Sequence, residues 1–192
     1  DECTKFCEEH GIEYHVIDVS SDYNREVLDY FTAEYRSGKT PNPCIRCNRF
    51  IKFGALLAGV KKLNIKFDYF CTGHYAAIVR PEEGLWGTEK RPNMISCASD
   101  ESKDQTYFLC RVPSEILEKV RFPLSNIKKS EVIELAKKAN LKAAARKESQ
   151  DFIDIKYIDA LFGDKPSVPG DFVNTQGKVI GRHKGIEHYT IG

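Results

Sequence analysis

The apolar positions of this chain change their period several times, and each change marks an element. Residues 2–10 are charged and helix-compatible and run into Gly11, a natural helix stop. Residues 12–19 (Ile-Glu-Tyr-His-Val-Ile-Asp-Val) are rich in β-branched and aromatic side chains and predict a strand. Val27, Leu28, Tyr30, Phe31 and Tyr35 predict a helix over about 22–36, ending near Gly38. From Asn48 onward, Phe53, Leu56, Leu57, Val60 and Leu63 recur along one helix face. The short apolar run at 67–72 fits a buried strand. Residues 76–80 and 94–98 predict a hairpin with a turn-rich tip at 81–93. A polar run over 99–105 leads into 106–112, and helices are expected at about 113–120 and 128–139, the second with Val132, Leu135 and Ala136 inward. Residues 155–162 predict one short helix, and 171–190 antiparallel strands turning at Thr175-Gln176-Gly177.

Helices alternating with strands over short connections predict an α/β fold with a parallel sheet over residues 1–157, followed from 158 to 192 by the start of a β-rich domain. Ligands in such sheets bind beyond the carboxyl ends of the strands. Thr72-Gly73-His74-Tyr75 stands at one such end and is a candidate site by position.

Composition narrows the partners. Across 192 residues, 29 Lys+Arg against 28 Asp+Glu leave a net charge of +1, so a nucleic-acid surface must be a local patch. No apolar run approaches a membrane span and no signal-like stretch opens the chain, so a cytoplasmic setting and no membrane partner are expected. The seven cysteines, at 3, 7, 44, 47, 71, 97 and 110, are odd in number and lack framework spacing, which argues against a secreted disulfide scaffold. Cys71 and Cys110, set among aromatic and aliphatic residues, are expected to be buried as small hydrophobes.

The densest chemistry lies in Thr40-Pro41-Asn42-Pro43-Cys44-Ile45-Arg46-Cys47-Asn48. Two prolines hold the backbone ahead of a Cys-x-x-Cys, and the two thiols can pair, share a metal or perturb one another's ionisation. The positive charges of Arg46, Arg49 and Lys52 are expected to stabilise a thiolate and to attract phosphate. A bland alternative makes Cys44 and Cys47 half of a structural zinc site completed by Cys3 and Cys7, although such sites normally place paired ligands in loops or hairpins. His74 has a plain structural reading at a strand end, and Lys103-Asp104-Gln105 one as a solvated helix start.

With these residues assembled, the chain resembles the tRNA-specific 2-thiouridylases. The motifs that carry the resemblance are Thr40-Pro41-Asn42-Pro43 with Cys47-Asn48, Lys52-Phe53, Thr72-Gly73-His74-Tyr75, Lys103-Asp104-Gln105 with Tyr107-Phe108-Leu109, Phe122-Pro123-Leu124, Ser149-Gln150-Asp151, and Gly181 with His188-Tyr189-Thr190-Ile191-Gly192, all in family order. The resemblance implies an adenine-nucleotide-binding fold of PP-loop type. It implies an enzyme that uses ATP with Mg2+ to move sulfur from a cysteine persulfide to C2 of the wobble uridine of tRNA. Its implied partners are tRNA and a persulfide donor protein.

By correspondence Cys47 is the nucleophile, Asn42, Pro43 and Cys44 lie against the target base, Gly73 binds nucleotide, and His74 with Lys103, Asp104 and Gln105 contacts tRNA. Two departures bear on mechanism. Where the family carries a second catalytic cysteine this chain has Ile153, and where many members have Asp it has Cys44. Cys44 and Cys47 are therefore expected to act as a local pair that closes a disulfide. The alternative function is a thiolation-impaired paralogue that binds tRNA or a sulfur carrier. An iron–sulfur cluster on Cys44, Cys47 and a third ligand is the less favoured cofactor, and no metal residue is assigned. The family's opening Ser-Gly-Gly-x-Asp-Ser loop and its C-terminal barrel are not in this sequence, so the isolated fragment is expected to be inactive.

Overall fold

Two long helices set the frame. In the computed structural model, which describes residues 2–80, 92–145, 158–163 and 165–190, the first is assembled from Ser20–Tyr23, a π-helical Asn24–Leu28 and Asp29–Arg36. The second, the cysteine helix, runs through Pro43–Arg46, a π-helical Cys47–Ala55 and Leu56–Lys62. It begins five residues before the expected Asn48, because Pro43 occupies the first helical position and the Asn42 side chain accepts the Ile45 N–H at 3.1 Å. Its expected apolar face is fully buried only at Phe53, and Leu63 at its far end is exposed. The opening helix Glu2–Glu9 ends as expected at Gly11, whose φ of 62° closes the turn.

The parallel sheet is represented by one pair, β1 (Phe70–Cys71) beside β4 (Val120–Arg121), with Phe70 opposite Val120. β2 (Ala77–Val79) and β3 (Met94–Ser96) form the expected antiparallel hairpin, whose tip at 81–91 lies outside the described residues. The core sits between these pairs and the cysteine helix: Phe53, Ala76, Leu109, Val112, Leu117, Val120 and Phe122. Two expectations are corrected. The strand at 12–19 is absent: Ile12, Tyr14 and Val16 are exposed and no described strand pairs with them, so their backbone groups have no ladder to join. The helix at 113–120 is only a 3-10 turn, Ile116–Glu118, because Val120 is claimed by pairing with Phe70 and buried completely.

The helix Lys129–Lys138 forms where expected, started by Asp100, whose carboxylate accepts the Lys129 N–H at 2.8 Å, but Leu135 points outward. Beyond it, the helix Ile158–Phe162 precedes the antiparallel β5 (Gly170–Val173) and β6 (Val179–His183). Their turn lies at the expected residues, held by the Asn174 side chain accepting N–H groups of Gln176 and Lys178.

Candidate active site around Cys44 and Cys47

The loop ahead of the thiols is anchored by burial and by a hydrogen bond. Pro41 and Pro43 are buried, and the Asn42 N–H donates to the Tyr30 hydroxyl at 3.4 Å. Cys44 and Cys47 are half-buried, and all seven cysteines of the chain are free thiols. Cys71 and Cys110 prove exposed. Cys71 alternates with inward Phe70 on the two-residue β1 and so faces out, and Cys110 lines an open groove of about 460 Å³ with Tyr107 and Met94.

The expected cationic stabilisation of a thiolate is largely spent elsewhere. Arg46 donates to the Glu26 carboxylate at 2.6 Å and to the Glu26 carbonyl, and its guanidinium lies 4.6 Å from the ring centres of both Tyr30 and Phe50. Arg49 lies over Phe50 at 5.4 Å. Lys52 is left to act on Cys47, one turn on in the i→i+5 register of the π-helical stretch. Burial outweighs it and pushes the Cys47 thiol up, with Cys44 adding to the rise, so the resting site favours the neutral thiol. Tyr23 belongs to the same environment: burial, then the Cys47 and Cys44 charges, push its phenol up.

The other predicted residues converge through one short segment. The Gln105 amide oxygen accepts the Tyr75 N–H at 2.9 Å while the Gln105 N–H donates to the Tyr75 carbonyl at 2.8 Å, which locks the stretch after Gly73 and His74. Three residues on, the Phe108 carbonyl accepts the Asn48 amide at 2.9 Å and fixes the cysteine helix. Asp104 accepts the Ala98 N–H at 2.9 Å and both the N–H and hydroxyl of Thr106. Burial pulls Asp104 up, but the Thr106 and Ala98 hydrogen bonds, with one from the Cys97 thiol, hold it below the usual carboxylate range. Asp104 and Gln105 thus shape the segment, while Lys103 is half-buried beside them.

His74 is only 8% exposed, with its Nδ1 at 2.8 Å from the Thr72 hydroxyl and its ring about 6 Å from Phe53 and Phe122. Burial, then Lys52, pushes its pKa down to about 4, so the ring is neutral at pH 7. Gly73 is exposed at the carboxyl end of β1, and a Cβ there would touch only Leu124, at 4.0 Å, so its backbone stands open. Among the described residues no three His, Cys, Asp or Glu side chains gather as metal ligands, so the cluster and zinc arrangements do not fit them. Ile153 lies outside the described residues. Lys52 acts on Cys47 as its charge and position led one to expect, whereas Asn48 and Tyr23 had no assigned role in the sequence. The i, i+5 spacing of Cys47 and Lys52 is a local signal, whereas Tyr23 stands 24 positions before Cys47 and had none.

Residues 1–157 match the protein family described as the tRNA methyl transferase HUP domain. Curated relatives are named tRNA-specific 2-thiouridylase MnmA. That of Endomicrobium trichonymphae is 45% identical over 183 residues, 94% of this chain and 48% of that protein. That of Carboxydothermus hydrogenoformans is 41% identical over 189 residues, 95% and 49% respectively. That of Acidithiobacillus ferrooxidans is 36% identical over 198 residues, 100% and 53%. The chain spans about half the length of the curated relatives it matches.

Proposed function

Because the chain belongs to the family of the tRNA methyl transferase HUP domain, we propose that it is the thiol-bearing part of an ATP-dependent tRNA-uridine 2-sulfurtransferase, as its relatives' names suggest. The observation that carries this reading is the free Cys44/Cys47 pair at the start of a helix entered through buried, dihedrally fixed prolines. ATP, with its Mg2+, supplies activation of the uridine O2 as an adenylate, and the open backbone at Gly73 suits the nucleotide. A persulfide on Cys47, loaded by a donor protein, then attacks C2. Its terminal sulfur bonds to C2, the bond to the adenylated oxygen breaks, and AMP leaves. Cys44 then attacks Cys47 Sγ, the S–S bond breaks with the terminal sulfur leaving as the 2-thio group of the uridine, and a thiol reductant reopens the Cys44–Cys47 disulfide so formed.

Asn42 and Pro43 form the rigid wall against which an extruded base rests. Lys103 neutralises a neighbouring phosphate, and Asp104 and Gln105 hold the backbone that presents it and His74. The residue change at Ile153 favours a second reading, a paralogue that binds tRNA or a sulfur carrier without thiolating it.

Mass spectrometry of wobble uridine decides between them. Cells lacking the gene and any redundant enzyme are expected to lose 2-thiouridine, to regain it with the wild-type gene, and to stay without it when complemented by Cys47→Ser or Cys44→Ser. Unchanged 2-thiouridine in the deletion strain rejects the enzyme reading in favour of the binding one.

A further inference from the structure

A cationic and aromatic surface gathers around β4. Arg80 Nη2 donates to the carbonyls of Leu117 at 3.2 Å and Val120 at 3.0 Å. Arg121 Nη1 donates to the carbonyls of Glu118 at 2.9 Å and the same Val120 at 2.8 Å. Two guanidinium groups therefore converge on one carbonyl oxygen. The Arg121 guanidinium also stacks 3.9 Å from the ring centre of Tyr69, and the Lys119 ammonium lies 5.8 Å from that of Phe67. Both rings stay open to solvent, Tyr69 at 57% exposure.

The Ile116–Glu118 turn is already capped by the Lys119 N–H on the Ile116 and Leu117 carbonyls, and two guanidinium groups are added to that end. Like charges this close repel: burial first, and then Arg121, pull the Arg80 guanidinium down. Among the described residues no carboxylate forms an ion pair with Arg80, Lys119 or Arg121. An anion with several acceptor oxygens would relieve that repulsion and use the N–H groups not committed to carbonyls, in the forked geometry arginine offers phosphate.

We infer that Arg80 and Arg121 form a cradle for a phosphodiester of the RNA backbone, with the exposed Tyr69 ring beside it to take a sugar or an unstacked base. The carbonyls that anchor the arginines precede or open β4, whereas Gly73 follows the carboxyl end of β1 in a parallel pair. The inference rests on the reading that tRNA is the substrate.

The test is tRNA binding by the full-length protein over a salt series, with wild type, Arg80→Gln, Arg121→Gln and Arg121→Lys. Each Gln variant is expected to bind about four- to fivefold more weakly near 0.15 M salt, and to lower the slope of log K against log salt by about 0.7–0.9. Arg121→Lys should retain most of the slope, and ATP affinity should be unchanged in all variants. Failure of the wild type to bind tRNA removes the functional reading, and this inference with it. Wild-type binding with unchanged slopes in both Gln variants overturns the cradle alone, as does a selective loss of ATP affinity. Arg80 is exposed, so Arg80→Gln keeps the test decisive should Arg121→Gln fail to fold.

Discussion

His74 sits between Phe53 and Phe122 with the Thr72 hydroxyl on Nδ1, and its pKa of about 4 against an ordinary 6.5 makes it a titration point for the whole domain. Above pH 6.5 both folded and unfolded chains hold the ring neutral, and its contribution is constant. Below that, the unfolded chain takes up a proton that the folded one refuses, so stability falls until the folded ring titrates near 4. At pH 5 the loss is about 2 kcal/mol. Urea denaturation at pH 7 and pH 5 should show it, and His74→Gln should remove most of the difference between the two pH values whatever it does to stability at pH 7. A pH dependence that survives His74→Gln would place the titrating group elsewhere. The same burial means that the proposed tRNA contact at this position would run through the surrounding backbone and not through a charged imidazole.

At the scale of elements, the sequence made most helices legible, because helix signals are local. Gly11, Gly38 and Pro43 act within a turn of their own positions. Strands were less legible. Phe70, Val120 and residues 12–19 carry similar β-branched or aromatic neighbourhoods, yet only segments with a partner became strands. Pairing is a property of two segments, and the register of Phe70 with Val120 spans fifty positions. The cysteine helix offers a clean test of overlapping roles at Asn42, which caps the Ile45 N–H and is proposed to meet the target base. Asn42→Ala should cost about 1 kcal/mol of stability. Asn42→Asp restores the cap with a side chain of equal capping strength but replaces the amide by a carboxylate. Thermal unfolding should therefore recover in Asn42→Asp while thiolation in the complementation assay stays impaired. Recovery of both would leave Asn42 as a cap alone.

Across the whole molecule the parts meet through contacts that no local pattern announces. Asn48 reaches Phe108 sixty positions away and joins the thiol helix to the segment that locks Tyr75, so the candidate site is held by a polar tie as well as by Phe53. A second tie binds the β5–β6 region to the first long helix. Arg36 donates to the carbonyls of Phe162 at 2.7 Å and Lys165 at 2.8 Å and lies over the Phe162 ring, while the neighbouring Tyr35 hydroxyl meets Thr190 at 3.1 Å. Glu187, 6% exposed, is held below the usual carboxylate range by the Ser167 hydroxyl against the pull of burial, with His188 and Arg36 adding to the effect. Hydrogen bonds from a charged donor contribute about 1.5–3 kcal/mol each, so losing this fork should unfasten the region before it disturbs the thiol helix. In Arg36→Ala, amide exchange across 165–190 should quicken by at least about tenfold while protection across 43–62 holds. Arg36→Lys, which keeps the charge but not the fork, should fall between them, and uniform loss of protection over both regions would mean that the two fold as one unit and that Arg36 serves them alike.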